Sequence, residues 1–221
     1  MRPFLTLVAR DLRLAVRQGG ALGTALGFYM LVVTLLPLGL GADLNLLSRI
    51  AAGVLWIALL LSALLSLPRV FASDYEDGSL DILATGSLPL ELVAAAKALA
   101  HWISTSIPLA LLAPVLGILL NLEIEAYPIL VATMLVGTPA VSFIGAVGAA
   151  LTLRAHRGGL LIALLVLPLY VPTLIFGVAS IGALLGPGGV TSAFLILTAI
   201  SLAAVVLCPF AAAAALRIQM Q

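Results

Sequence analysis

Apolar and polar positions segregate along this chain in blocks the size of whole helices. Long runs rich in Leu, Ala, Val, Ile and Gly occupy residues 20–41, 47–67, 92–120, 128–153, 159–185 and 190–216, with short polar stretches between them. Roughly 20 consecutive apolar residues carry an α-helix across a bilayer, so each run has the length of a span. The pattern predicts an all-α integral membrane protein, a single transmembrane domain over residues 1–221 with six spans. The first run exceeds the ~7–15 apolar residues of a secretory signal, so it is expected to stay in the membrane. Pro108 and Pro114 predict a kinked third span. The fourth holds Gly137, Gly145, Gly148 and Ala149, small residues that let helices approach closely. Pro168 and Pro172 predict a broken fifth span, its later part irregular or re-entrant where protein surrounds it.

Residues 2–18, ahead of the first span, follow a finer pattern. Phe4, Leu5, Val8, Leu12, Ala15 and Val16 fall on one side of a helical wheel, and Arg2, Thr6, Arg10, Arg13 and Arg17 on the other. Leu7 and Leu14 depart from the split. A separation kept over four turns of ~3.6 residues predicts an amphipathic helix lying in the membrane interface. The plainer alternative is a positive flank that only sets topology.

The longest polar interruption is residues 68–91, PRVFASDYEDGSLDILATGSLPLE, which holds Asp74, Glu76, Asp77, Asp81 and Glu91. Unpaired charge is costly in hydrocarbon, so this stretch belongs in water. Ser73 with Glu76 three residues on fits a capping box and predicts a short helix from Asp74. Asp77-Gly78 predicts its end. Leu80, Leu83 and Ala84 predict a second short helix, stopped at Gly86. Pro89 and Glu91 suit the first turn of the next span. A helical loop with an acidic and an apolar face suits the docking of another protein; the alternative is a solvated linker.

Composition narrows the chemistry. The chain is 63% hydrophobic and 9% charged, against ~25% charged in soluble domains. A net charge of +1 offers no field for nucleic acid. The single cysteine, Cys208, cannot form an internal disulfide and reads as a packing residue. Lys97 is the only lysine and follows Ala96, so the chain has no phosphate-binding P-loop. Placing both termini in the cytoplasm puts Arg2, Arg10, Arg13, Arg17, Arg69, Lys97, Arg154, Arg157 and Arg217 inside and only Arg49 outside. That asymmetry predicts an even number of spans and a cytoplasmic 68–91 loop.

The order of parts, with the N-terminal RDLRLAVRQ, the loop FASDYEDGSLDIL and LPLYVPTLIFG in the fifth span, resembles the permeases of ABC-2-type (type V) exporters. Within them it is most similar to the haem exporter B subunits of cytochrome c maturation, the CcmB family. The resemblance runs over essentially the whole chain. It implies a non-catalytic subunit of the bacterial inner membrane, with ATP hydrolysed by a separate A component. A second copy of the chain and the haem-handling C and D components are further implied partners. Haem would be the cargo of the complex, and no cofactor is assigned to this chain itself. The coupling element for the ATPase would be Asp74, Tyr75, Glu76, Asp77, Gly78, Leu80, Asp81 and Leu83, with Arg10, Arg13 and Arg17 on the interfacial helix.

Other readings are a permease for a drug, lipid or glycan, a passive scaffold for the haem-handling partners, and a membrane-embedded enzyme. The last needs convergent polar groups, and the spans offer scattered ones such as His101, Ser104, Thr105, Ser106, Thr138, Ser142 and Tyr170, with no mid-membrane carboxylate. His101 has the chemistry of an axial haem ligand; the plainer reading is a histidine capped by interfacial water or a backbone carbonyl. His156, between Arg154 and Arg157, reads as solvated. Cysteines placed at Asn45 and Glu123 should label from the periplasm and one at Ser79 only from the cytoplasm. Periplasmic labelling at Ser79 would contradict the six-span topology.

Overall fold

The computed structural model describes residues 2–41, 43–155, 158–184 and 192–220. The predicted turn at 186–189, and His156 with Arg157, lie outside the described residues. Among those described, every regular element is helical: α1 (Arg2–Gln18), α2 (Gly20–Leu40), α3 (Leu44–Ser66), α4 (Arg69–Glu76), α5 (Ser79–Thr85), α6 (Leu90–His101), a π-helical turn (Trp102–Ser106), α7 (Ile107–Leu119), α8 (Ala126–Leu151), α9 (Gly158–Leu184) and α10 (Ser192–Gln219). Six stretches have the length and apolarity of membrane spans: α2, α3, α6 through α7, α8, α9 and α10.

Local chemistry explains the boundaries. The second span begins at Leu44, before the expected 47, because Asp43 caps it: its carboxylate accepts the N–H groups of Asn45 and Leu46, both at 3.1 Å. The interruption in the third span is not a simple proline kink. Pro108 has no N–H to give the Ser104 carbonyl, and the chain widens into the π turn just ahead of it, where the Ile107 N–H reaches the Trp102 carbonyl. The fifth span is not broken: α9 runs unbroken through Pro168 and Pro172. Neighbouring helices α3, α8 and α10 support it, the circumstance in which a spanning helix tolerates proline.

Helix α8 packs against α3, α6, α7, α9 and α10, and its glycines make that closeness possible. A Cβ on Gly137 would stand 2.7 Å from the indole of fully buried Trp56, and one on Gly177 of α9 would stand 2.6 Å from the same ring. Gly145 faces Leu67 and Tyr170, and Gly148 faces Val166.

The two ends of the bundle differ. At one end Arg154 donates to the Tyr75 hydroxyl at 3.2 Å and Arg217 pairs with Glu91 at 2.5 Å, joining α4, α6, the turn after α8 and the end of α10. At the other, the Asn121 amide reaches the Leu44 carbonyl at 3.5 Å, and Arg49 lies in the second turn of α3, on that side of the bundle. The described basic residues other than Arg49 gather at the first end, as the spacing of spans and charges predicted.

Helix α1 has three faces rather than two. Leu7 and Val8 are buried, and Phe4 and Leu12 pack on the bundle. Leu5 and Val16 point away from the protein, in position to enter the apolar edge of the membrane. Arg2, Arg13 and Arg17 are exposed on the remaining side. Leu7, a departure from the simple wheel, belongs to the bundle-facing side.

Candidate functional site

The site is built where α1, α4 and α6 meet at the basic end. Helix α4 starts at Arg69 rather than Asp74, directly after Leu67-Pro68, so Ser73 lies inside it and forms no capping box. The difference follows from the chain entering at Pro68 already helical (φ −53, ψ −34). Gly78, at φ 76, turns the chain in a conformation costly to a side chain. The Asp77 carboxylate then accepts the Ser79 N–H at 2.8 Å, and α5 begins.

This register turns Asp74 inward. Lys97, two turns into α6, pairs with the Asp74 carboxylate and with Asp11 of α1 at 3.2 Å, and donates to the Val70 carbonyl at 3.2 Å. Its ammonium also stands 5.8 Å from the Phe71 ring centroid, within cation–π range. Arg10 completes the group, 2.8 Å from Asp74 and 2.8 Å from Asp11. The Ser79 hydroxyl donates to the other Asp74 oxygen at 3.0 Å. Lys97 and Asp74 are each 5% exposed. Burial pushes the Asp74 carboxyl up, but Lys97, Arg10 and Ser79 outweigh it and hold the group below its ordinary value.

The eight loop residues singled out from sequence therefore divide. Tyr75, Glu76, Asp77, Gly78 and Asp81 face outward. Asp74 does not, because the positive charge that offsets it comes from its own chain. Leu80 is fully buried and Leu83 half-buried, since α5 must cover its apolar side on α6. The exposed apolar residue is Ile82, 72% accessible, which sequence spacing did not single out. Arg10 is bonded into the cluster, whereas Arg13 and Arg17 stay at the surface. Asp11 was missed, although a carboxylate beside Phe4 and Ala15 on the wheel is itself a signal for a buried cation.

A second polar group lies one turn deeper. His101 Nε2 is 2.7 Å from the Ser66 hydroxyl and Nδ1 is 3.0 Å from the Ser142 hydroxyl, which in turn is 2.9 Å from that of Ser106. The Trp102 indole donates to Thr138 at 3.0 Å. The cap on His101 is thus two serine hydroxyls from α3 and α8, not a backbone carbonyl. With both ring nitrogens engaged, its arrangement is that of an interhelical tie.

Six apolar spans, an N-terminal helix packed on the bundle and a helical loop at the basic end define a polytopic membrane protein. The chain matches the family model described as "CcmB protein" over residues 2–219, and it belongs to that family. It is 58% identical over 215 residues to "Heme exporter protein B" of Paracoccus denitrificans (strain Pd 1222), covering 97% of this chain and 99% of that one. It is 50% identical over 218 residues to the protein of the same name from Bradyrhizobium diazoefficiens, covering 98% of each. For the Escherichia coli (strain K12) protein of that name the identity is 43% over 218 residues, covering 99% of each.

Replacing Lys97 by Met should leave Asp74 and Asp11 with Arg10 as their one remaining cation, at a cost in unfolding free energy below the ~3–5 kcal/mol of a wholly unpaired buried charge. The Lys97→Met/Asp74→Leu pair should cost less than the sum of the single changes. Because the Asp74 carboxyl is held below its ordinary 3.8, its contribution is complete above that value and is lost as pH falls through the lower folded value. Thermal unfolding in detergent between pH 7 and pH 3 should therefore show an acid loss in the wild type that Asp74→Asn reduces.

Proposed function

We propose that the chain is the membrane-spanning permease subunit of an ABC complex that exports haem for cytochrome c maturation. The family and the near-full-length similarity to proteins named heme exporter protein B support the transport role. On this reading the chain hydrolyses nothing itself. An ATP-hydrolysing subunit docks on the outer face of α4 and α5, and haem-handling membrane subunits join the same complex. The membrane is the bacterial inner membrane, and the basic end, with both termini, faces the cytoplasm by the excess of Arg and Lys there.

The observation that carries the coupling assignment is the outward set Tyr75, Glu76, Asp77, Asp81 and Ile82 on a loop clamped from behind by Lys97. An apolar anchor ringed by carboxylates suits a groove edged by basic groups, where charge sets orientation and the anchor supplies contact area. A second copy of the chain is the remaining partner. An apolar groove between α3 and α9, lined by Leu60, Leu61, Leu167 and Val171, supports a contact through the second and fifth spans.

Glu76→Lys with Asp81→Lys, and separately Ile82→Asp, should insert and fold as the wild type does. Each should retain the ATP-hydrolysing subunit roughly tenfold or more weakly on co-purification and lower cytochrome c maturation in step. Normal retention and full maturation in both variants would make the loop a linker.

A further inference from the structure

Beside the ion cluster lies a cleft of about 120 Å³ between α1, the start of α2, α4 and α6. Three of its lining groups are unused. The first is the N-terminus of α2. Gly19 precedes it in the left-handed region (φ 55) and supplies no side-chain cap, so its leading N–H groups lack intrahelical partners; Ala21 and Leu22 of that first turn line the cleft. The second is Arg69, whose Nη1 lies 3.2 Å from where a Cβ on Gly20 would stand. Among the described residues it forms no salt bridge and no hydrogen bond. The third is Thr105, 3% exposed and lining the cleft, its hydroxyl without a hydrogen-bond partner among the described residues.

Arg69 is exposed at the edge of the cleft and has no acidic partner of its own among the described residues. A guanidinium against a helix N-terminus adds positive charge to the positive end of the helix dipole. The carboxylates that line the cleft, Asp11 and Asp74, do not relieve it, because Lys97 and Arg10 share them. Three cations against two carboxylates leave the group with one positive charge in excess. An anion between Arg69 and the start of α2 would satisfy both, with Thr105 as a further donor.

We propose that this cleft binds a phosphate group. A cleft of this size holds several waters at ~10–15 Å³ each, room enough for one tetrahedral oxyanion. The phosphate has two possible sources, a membrane phospholipid or free inorganic phosphate. The lipid is favoured by the cleft's position beside α1, whose outward Leu5 and Val16 set that helix at the depth of the headgroups. The inference stands apart from the ATPase reading, and its test needs no partner chain.

The full chain is purified in mild detergent, exchanged into phosphate-free buffer and supplied with phosphatidylglycerol; bound lipid is counted by native mass spectrometry. Wild type should keep one phospholipid per chain. Arg69→Gln should reduce occupancy roughly tenfold and Arg69→Lys should recover part of it; Thr105→Val should weaken it less. Inorganic phosphate should displace the lipid. A second arm records thermal unfolding with inorganic phosphate alone. Stabilisation in the wild type that Arg69→Gln abolishes, without lipid retention, supports the site with free phosphate as its ligand. Equal occupancy and equal phosphate response in wild type, Arg69→Gln and Thr105→Val, all with wild-type helicity by circular dichroism, would overturn the proposal.

Discussion

The structure at the basic end depends on one buried ammonium. Lys97 is the only lysine in the chain, and its three hydrogens go to three places: Asp11 of α1, the Asp74 carboxylate, and the Val70 carbonyl of α4. A lone charge at this depth would be expensive to bury. Paired with two carboxylates and a carbonyl, it fixes α1 and α4 on α6. The Asp74 that it holds also accepts from Ser79 at the start of α5. The whole loop is thereby oriented, its carboxylates Glu76, Asp77 and Asp81 outward and its leucines inward. Such a cluster is weak evidence for net stability, because apolar side chains of similar size often do as well. Its value here is geometric: it specifies which face of α4–α5 is turned outward, the face a partner would meet on the proposed function.

The same helix carries the next tie. His101 follows Lys97 by four residues, so the two side chains project from one side of α6. Lys97 engages the loop and α1; His101 engages α3 through Ser66 and α8 through Ser142. Immediately beyond lies the π turn that Pro108 demands. A π turn differs from α-helix by one residue per turn, so it is a place where a helix can shift register at modest cost. On the proposed function, a push on α4–α5 reaches α6 through the ion cluster and α8 through the serines. The close α8 contacts at Gly137, Gly145 and Gly148 then make the central helices respond together, since close-packed interiors transmit strain.

Much of this was legible in the sequence. Span number, the helicity of the 68–91 loop and an amphipathic N-terminal helix follow from residue type and spacing; the family came from the resemblance carried by RDLRLAVRQ, FASDYEDGSLDIL and LPLYVPTLIFG. What spacing misjudged shares one cause: the short amphipathic elements answer to their own bundle before any partner. Asp74 read as a surface acid because Asp11 and Lys97 are 63 and 23 residues away along the chain. Leu80 read as an anchor for another protein because the α6 surface beneath it is invisible locally. The two prolines of α9 read as a break because helix propensity counts the lost donors and not the surrounding helices. The π turn has a trace in Pro108, but only the tertiary ties of His101 and Trp102 place the bulge where it lies.

The claim that a buried lysine presents the loop to an ATP-hydrolysing partner is tested most directly by crosslinking in the complete complex. A photoreactive amino acid in place of Ile82 should form an adduct with the ATP-hydrolysing subunit. Adding Lys97→Met to the same chain should abolish most of the adduct while the chain remains inserted, and Lys97→Arg should restore part of it. An adduct at Ile82 that is unchanged by Lys97→Met, or the absence of any adduct in the otherwise wild-type chain, would contradict the account.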